Sequence, residues 1–118
     1  MQEYLKFYKR EKINKKVVEI DYTLYEKLQY LSNEIYDANI NQLICACINV
    51  YYSHVEENNN LYIAEKNKTD ITVMRTVSFR ESEYKKLEFL KGKYSVSIYR
   101  LLNSAIKYVL DKSEILIE

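Results

Sequence analysis

Hydrophobic positions along the chain switch between two spacings, and they do so twice in the same order. Over Lys15 to Ile20 and again over Ile71 to Phe79, β-branched residues alternate partly with polar ones, which is the period-2 mark of a half-buried strand. Helical spacing follows at once, through Leu24, Leu28, Leu31 and Ile35 in the first stretch and Tyr84, Leu87, Leu90 and Tyr94 in the second. Thr23 and Ser82 stand near the N-cap positions expected for these helices. A second helix is expected after each. Its apolar face is Leu43, Ile44, Cys47, Ile48 and Tyr51, then Leu101, Leu102, Ala105, Ile106 and Val109, and both faces are wide enough to require burial. Asn39 and Gln42 fit a capping box at the start of the first of these helices; Ser97 holds the same place in the second, with Arg100 where the Gln stood.

The recurrence is visible residue by residue. Residues 17–35 align without a gap on residues 76–94, so that Val18, Tyr25, Lys27, Leu28 and Leu31 return as Val77, Tyr84, Lys86, Leu87 and Leu90. The second copy then drops one residue, after which Ile40, Leu43 and Ile48 return as Ile98, Leu101 and Ile106. One supersecondary unit is used twice. The expected organisation is a basic N-terminal arm (1–12), a first strand-helix-helix unit (13–55), a linker (56–70), a second unit (71–112) and a C-terminal tail (113–118), which either folds back on the core or docks a partner.

Composition narrows the chemistry. With 118 residues the chain fits one modest domain, and the lack of proline with only one glycine argues against tight-turn sandwiches and Gly-rich phosphate loops. Cys45 and Cys47 are two apart in a helical pattern, on nearly opposite sides of the helix, and read as small buried side chains rather than a metal pair. The only histidine, His54, lacks the companions of a triad or metal set. No catalytic residue, metal site or cofactor is expected. The tyrosines, thirteen in all, lie largely at core spacing, including Tyr25, Tyr51, Tyr84 and Tyr108. No apolar run approaches the roughly 20 residues that cross a bilayer and no secretory leader is evident, so a cytoplasmic protein without membrane contact is expected. The formal net charge of +1 decides nothing by itself, but Lys6, Lys9, Arg10, Lys12, Lys15 and Lys16 crowd the N-terminus.

A lone strand joined to two amphipathic helices has no sheet to pack on. Pairing the two strands antiparallel makes a ribbon covered on one face by helices. This pattern resembles the ribbon-helix-helix family of DNA-binding proteins, of the Arc and MetJ type, with both copies in one chain as in the TraY-like accessory proteins of conjugation. The resemblance implies a mainly α fold with a two-stranded antiparallel ribbon, a tandem ribbon-helix-helix with a pseudo-two-fold within one chain. It further implies that Val18, Ile20, Val77 and Phe79 face the helices while Lys15, Val17, Glu19, Met74, Thr76 and Ser78 point outward into the DNA major groove.

In that setting Lys15 donates to guanine, Thr76 and Ser78 bond several bases, Val17 and Met74 pack on thymine methyls, and Glu19 accepts from cytosine N4. The two unequal strands imply an imperfect palindrome or unequal half-sites. Asn39 with Asn41, and Ser97 with Tyr99, hold the positions from which the family clamps phosphates at helix N-termini. Lys91 and Lys93 strengthen the second side, and Lys6, Lys9, Arg10 and Lys12 read either as an arm along the phosphates or as a solvated basic segment. Glu19 and Asp21 depart from the family's usual polar or basic ribbon face. Two functions stay open: double-stranded DNA binding as a transcriptional repressor or a plasmid transfer or partition factor, with further copies on adjacent sites, or a protein-interaction module of antitoxin or inhibitor type.

Overall fold

The computed structural model describes residues 10–65 and 71–116. Its elements are β1 (Ile13–Asp21), α1 (Tyr22–Tyr30) continued by a π-helical turn (Leu31–Ile35), α2 (Ile40–Asn58), β2 (Thr72–Arg80), α3 (Glu81–Tyr94) and α4 (Ile98–Leu116). The fold is mainly helical with a two-stranded antiparallel sheet, β1 against β2. Val17 faces Thr76 at the centre, Lys15 faces Ser78 and Glu19 faces Met74.

Alternation sets which face of the ribbon is buried. Val18, Ile20, Val77 and Phe79 are buried on the inner face, where they meet Leu24, Leu28 and Leu31 from the α1 segment and Leu87 and Leu90 of α3. Ile44, Ile48 and Tyr51 of α2 and Leu101, Leu102 and Ile106 of α4 complete the core. Each large side chain so buried is worth about 1.5–3 kcal/mol of transfer free energy, and a one-residue slip of either strand would turn its pair of core residues outward.

The ends of the elements depart from sequence expectation in three places. Thr23 and Ser82 are not the N-caps: α1 and α3 start at Tyr22 and Glu81, directly after the strands, with Asp21 and Arg80 as caps. The strands run into the helices without a gap, so the first helical amides find partners across the fold. Tyr22 N–H donates to the Ile71 carbonyl and Glu81 N–H to the Lys12 carbonyl, both at 2.9 Å, and Ser82 N–H donates to the Glu11 carboxylate at 3.0 Å. Glu83, buried in the first turn of α3, accepts from Arg80 N–H at 2.9 Å.

The linker is shorter than its composition suggests. Helix α2 continues to Asn58 and stops where Asn59 turns left-handed at φ 49°, a conformation Asn tolerates. Leu61 and Tyr62 then pack on the core, and Ala64 N–H donates to Ser104 Oγ at 2.9 Å. At the other end α4 runs through Leu116, into the segment expected as a tail, of which Ile117 and Glu118 lie outside the described residues.

The extra residue of the first copy falls between α1 and α2. There the chain leaves α1 through a wide π turn, with Tyr36 N–H on the Leu31 carbonyl at 2.8 Å. The second copy leaves α3 through left-handed Ser95, whose N–H meets the Lys91 carbonyl at 2.9 Å. The expected capping box closes α2 in both directions: Gln42 N–H donates to Asn39 Oδ1 at 2.8 Å and Asn39 N–H to Gln42 Oε1 at 2.9 Å. Ser97 Oγ accepts from Arg100 N–H at 3.2 Å and serves α4 in the same way.

Candidate nucleic-acid interface

The outer face of the ribbon carries side chains that the core does not use. Val17 and Met74 are each 63% exposed, while Ile20 and Phe79 on the inner face are fully buried. Lys15 and Thr76 are exposed as well; Glu19 and Ser78 are half-buried. This apolar pair lies in water on the strand, and the same face holds a cation, a carboxylate and two hydroxyls.

Amide side chains from the first turn of α2 and the second turn of α4 hold the ribbon's free edges. Asn41 Nδ2 donates to the Ser78 carbonyl at 3.0 Å, and Ser78 N–H donates to Asn41 Oδ1 at 2.7 Å. On the other edge Asp21 N–H donates to Asn103 Oδ1 at 2.9 Å, while Asn103 Nδ2 donates to the Glu19 carbonyl at 3.0 Å and the Tyr99 carbonyl at 2.8 Å. The first turn of α2 therefore sits at the free edge of β2 and that of α4 at the free edge of β1, so that two helix N-termini flank the ribbon. Because Ser78 turns its N–H and C=O away from β1, Lys15 and Ser78 form a pair without mutual ladder bonds. By alternation so do Val17 with Thr76 and Glu19 with Met74, and this is the arrangement in which facing side chains approach most closely.

The residues expected at phosphates divide into two groups. Asn39 and Ser97 cap their own helices, Asn41 is engaged with the β2 edge, and the Tyr99 hydroxyl donates to the Asp21 carboxylate. Lys91, Lys93, Arg10 and Lys12 are exposed. The Lys93 ammonium lies over the Phe89 and Tyr94 rings at 5.8 and 5.4 Å, and Lys91 borders an open depression of about 400 Å³ shared with Lys16, Tyr84, Ile98 and Tyr99. Lys6 and Lys9 lie outside the described residues. The two acids that seemed out of place are both occupied: Asp21 by Tyr99, and Glu19 by the Thr72 hydroxyl, which donates to Oε2 at 2.6 Å.

Sequence reasoning missed Lys16, Arg75 and Asn103. Lys16 Nζ stands 5.2 Å over the Tyr84 ring; Arg75 stands 6.0 Å over Tyr25 and donates from Nη1 to the Tyr25 hydroxyl at 3.1 Å. Lys16 and Arg75 are equivalent in the repeat, as are Tyr25 and Tyr84, so the alignment held the signal. For Asn103 the signal was an amide amid the apolar face of α4.

The remaining reactive side chains serve the interior. Cys45 and Cys47 are both buried, and burial pushes both thiols up to about 12. His54 Nδ1 lies 2.8 Å from the Tyr108 hydroxyl and 3.1 Å from Asn58 Nδ2. Among the described residues no three metal-binding side chains come together, and no helix is long and apolar enough to cross a membrane. No protein-family model matches the chain, and no curated protein or solved structure matches it.

Proposed function

We propose that this chain binds double-stranded DNA sequence-specifically, as a tandem ribbon-helix-helix protein with a pseudo-two-fold axis through its ribbon. Its setting is the cytoplasm, as a transcriptional repressor or an accessory factor at a plasmid transfer or partition site. The observation that carries the reading is the exposed outer ribbon face flanked by the N-termini of α2 and α4. A major groove about 12 Å wide admits a two-stranded ribbon, and helix N-termini on either side meet the phosphates that wall it.

The pseudo-two-fold rests on contacts that exchange when the copies are exchanged. Tyr22 on Ile71 becomes Glu81 on Lys12, and Arg75 on Tyr25 becomes Lys16 on Tyr84. Asn41 and Cys45 against Ser78 correspond to Tyr99 and Asn103 against β1, with Asn103 in the place of Cys45.

Lys15, Val17, Glu19, Met74, Thr76 and Ser78 read bases in this scheme. Lys91, Lys93, Arg10 and Lys12 contact phosphates, joined by Lys16 beside α4. Gel retardation with the DNA upstream of the chain's own gene tests the reading. A retarded band that resists excess random duplex is expected; no preference over random duplex at low salt overturns it. The alternative, a protein-interaction module, draws on the exposed Val17 and Met74 and on Glu19 beside them. It predicts a protein partner and no duplex affinity.

A further inference from the structure

The outer ribbon face is electrically polar along its length. On β1, Lys15 lies two residues before the central Val17 and Glu19 two residues after it, and each faces an uncharged partner, Ser78 and Met74. Four residues of strand span roughly 14 Å, or about four base-pair rises. The carboxylate at the far end is also held in place: Thr72, two pairs beyond on the same face, donates its hydroxyl proton to Glu19 Oε2 at 2.6 Å. That bond occupies one lone pair of the carboxylate and leaves Oε1 to accept from outside.

We infer that Thr72 holds Glu19 in the orientation from which it reads a cytosine at one end of the site. The inference rests on the DNA-binding reading above. A carboxylate is an acceptor only, and in the major groove it suits the cytosine N4 amino group. Adenine N6 is a poorer match because N7, itself an acceptor, lies beside it. Guanine and thymine offer O6 and O4, which repel a carboxylate. Lys15, a donor only, suits guanine O6 and N7 at the other end. Thr72 is a positioning residue here. It fixes the carboxylate before DNA arrives, so less side-chain freedom is lost on binding.

Selection of bound sequences from a duplex library with a randomised core, using the full chain, tests this. The wild type is expected to enrich a site with cytosine at one end, discriminating there by about tenfold or more. Glu19→Gln should move that position from cytosine to adenine, which a carboxamide bonds at N6 and N7, and leave the Lys15 end unchanged. Thr72→Val, which keeps a β-branched strand residue, should blur the cytosine position alone, and Thr72→Ser should restore it. Circular dichroism on each variant separates altered readout from failure to fold, and the Glu19 backbone carbonyl keeps its Asn103 bond in Glu19→Gln. A wild-type site identical to that of Glu19→Gln overturns this inference and leaves DNA binding standing. No enriched sequence and no duplex affinity at low salt overturns the DNA-binding reading itself.

Discussion

Asn103→Ala should destabilise the protein through the ribbon edge. Asn103 is 4% exposed and its amide satisfies two β1 backbone groups, Asp21 N–H and the Glu19 carbonyl. Alanine leaves both without a partner, the Asp21 N–H in a buried bond and the Glu19 carbonyl in a half-buried one, and a buried unsatisfied polar group costs about 1–3 kcal/mol. The Tyr99 carbonyl keeps its place in the helix ladder, so it adds little. The expected loss is about 2–4 kcal/mol, which for a slope of about 2 kcal/mol per molar urea lowers the unfolding midpoint by roughly 1–2 M. Asn41→Ala is the internal control, because it removes the same pair of bonds from Ser78 on an edge that is only half-buried. Water can replace the amide there, and about 1 kcal/mol is expected. Urea titrations followed by circular dichroism measure both. If Asn103→Ala costs no more than Asn41→Ala, burial does not decide the value of these edge bonds and the reasoning fails.

Three further outcomes follow from the geometry. Bonds from the Ser82 amide hold the Glu11 carboxyl below the ordinary carboxylate range; a lowered folded pKa stabilises above the unfolded value and is lost as pH falls through the folded one. Wild type should therefore exceed Glu11→Gln in urea midpoint at neutral pH, and the gap should close in acid. Cys45 and Cys47, buried and with thiols pushed up to about 12, should resist a thiol reagent at pH 8 until denaturant is added; rapid labelling of the native protein would show that α2 opens locally. Thr76→Ala should relax base preference at the centre of a selected site by about 1–3 kcal/mol, whereas Lys91→Ala should weaken all duplexes alike and reduce the log-log salt slope by about 0.9; competition titrations over a salt series separate the two.

Periodicity made much of this fold legible. Four inward residues, Val18, Ile20, Val77 and Phe79, share the buried face that alternation gave them, in a register with Val17 opposite Thr76. The Asn39 and Gln42 box was readable because both partners lie within one turn. Bonds that join distant parts of the chain were not. Glu11 serves Ser82 and Asn103 serves Asp21 across most of the chain, and no local window of sequence carries such a pairing. The same limit applied to the interface. The exposure of Lys15, Val17, Met74 and Thr76 followed from alternation, but the bonds of Asn41 to Ser78, Tyr99 to Asp21 and Glu19 to Thr72 depended on neighbours that only the fold brings near.

Joining both strands of the ribbon in one polypeptide changes how the molecule responds to dilution. β1 finds its partner further along the same chain, so folding is a first-order event and the melting temperature of the ribbon is independent of protein concentration, unlike that of an assembly whose strands come from two subunits. A cell holding only a few copies would still hold every one of them with a complete ribbon. The two strands are also free to diverge, since a change in one is not imposed on the other.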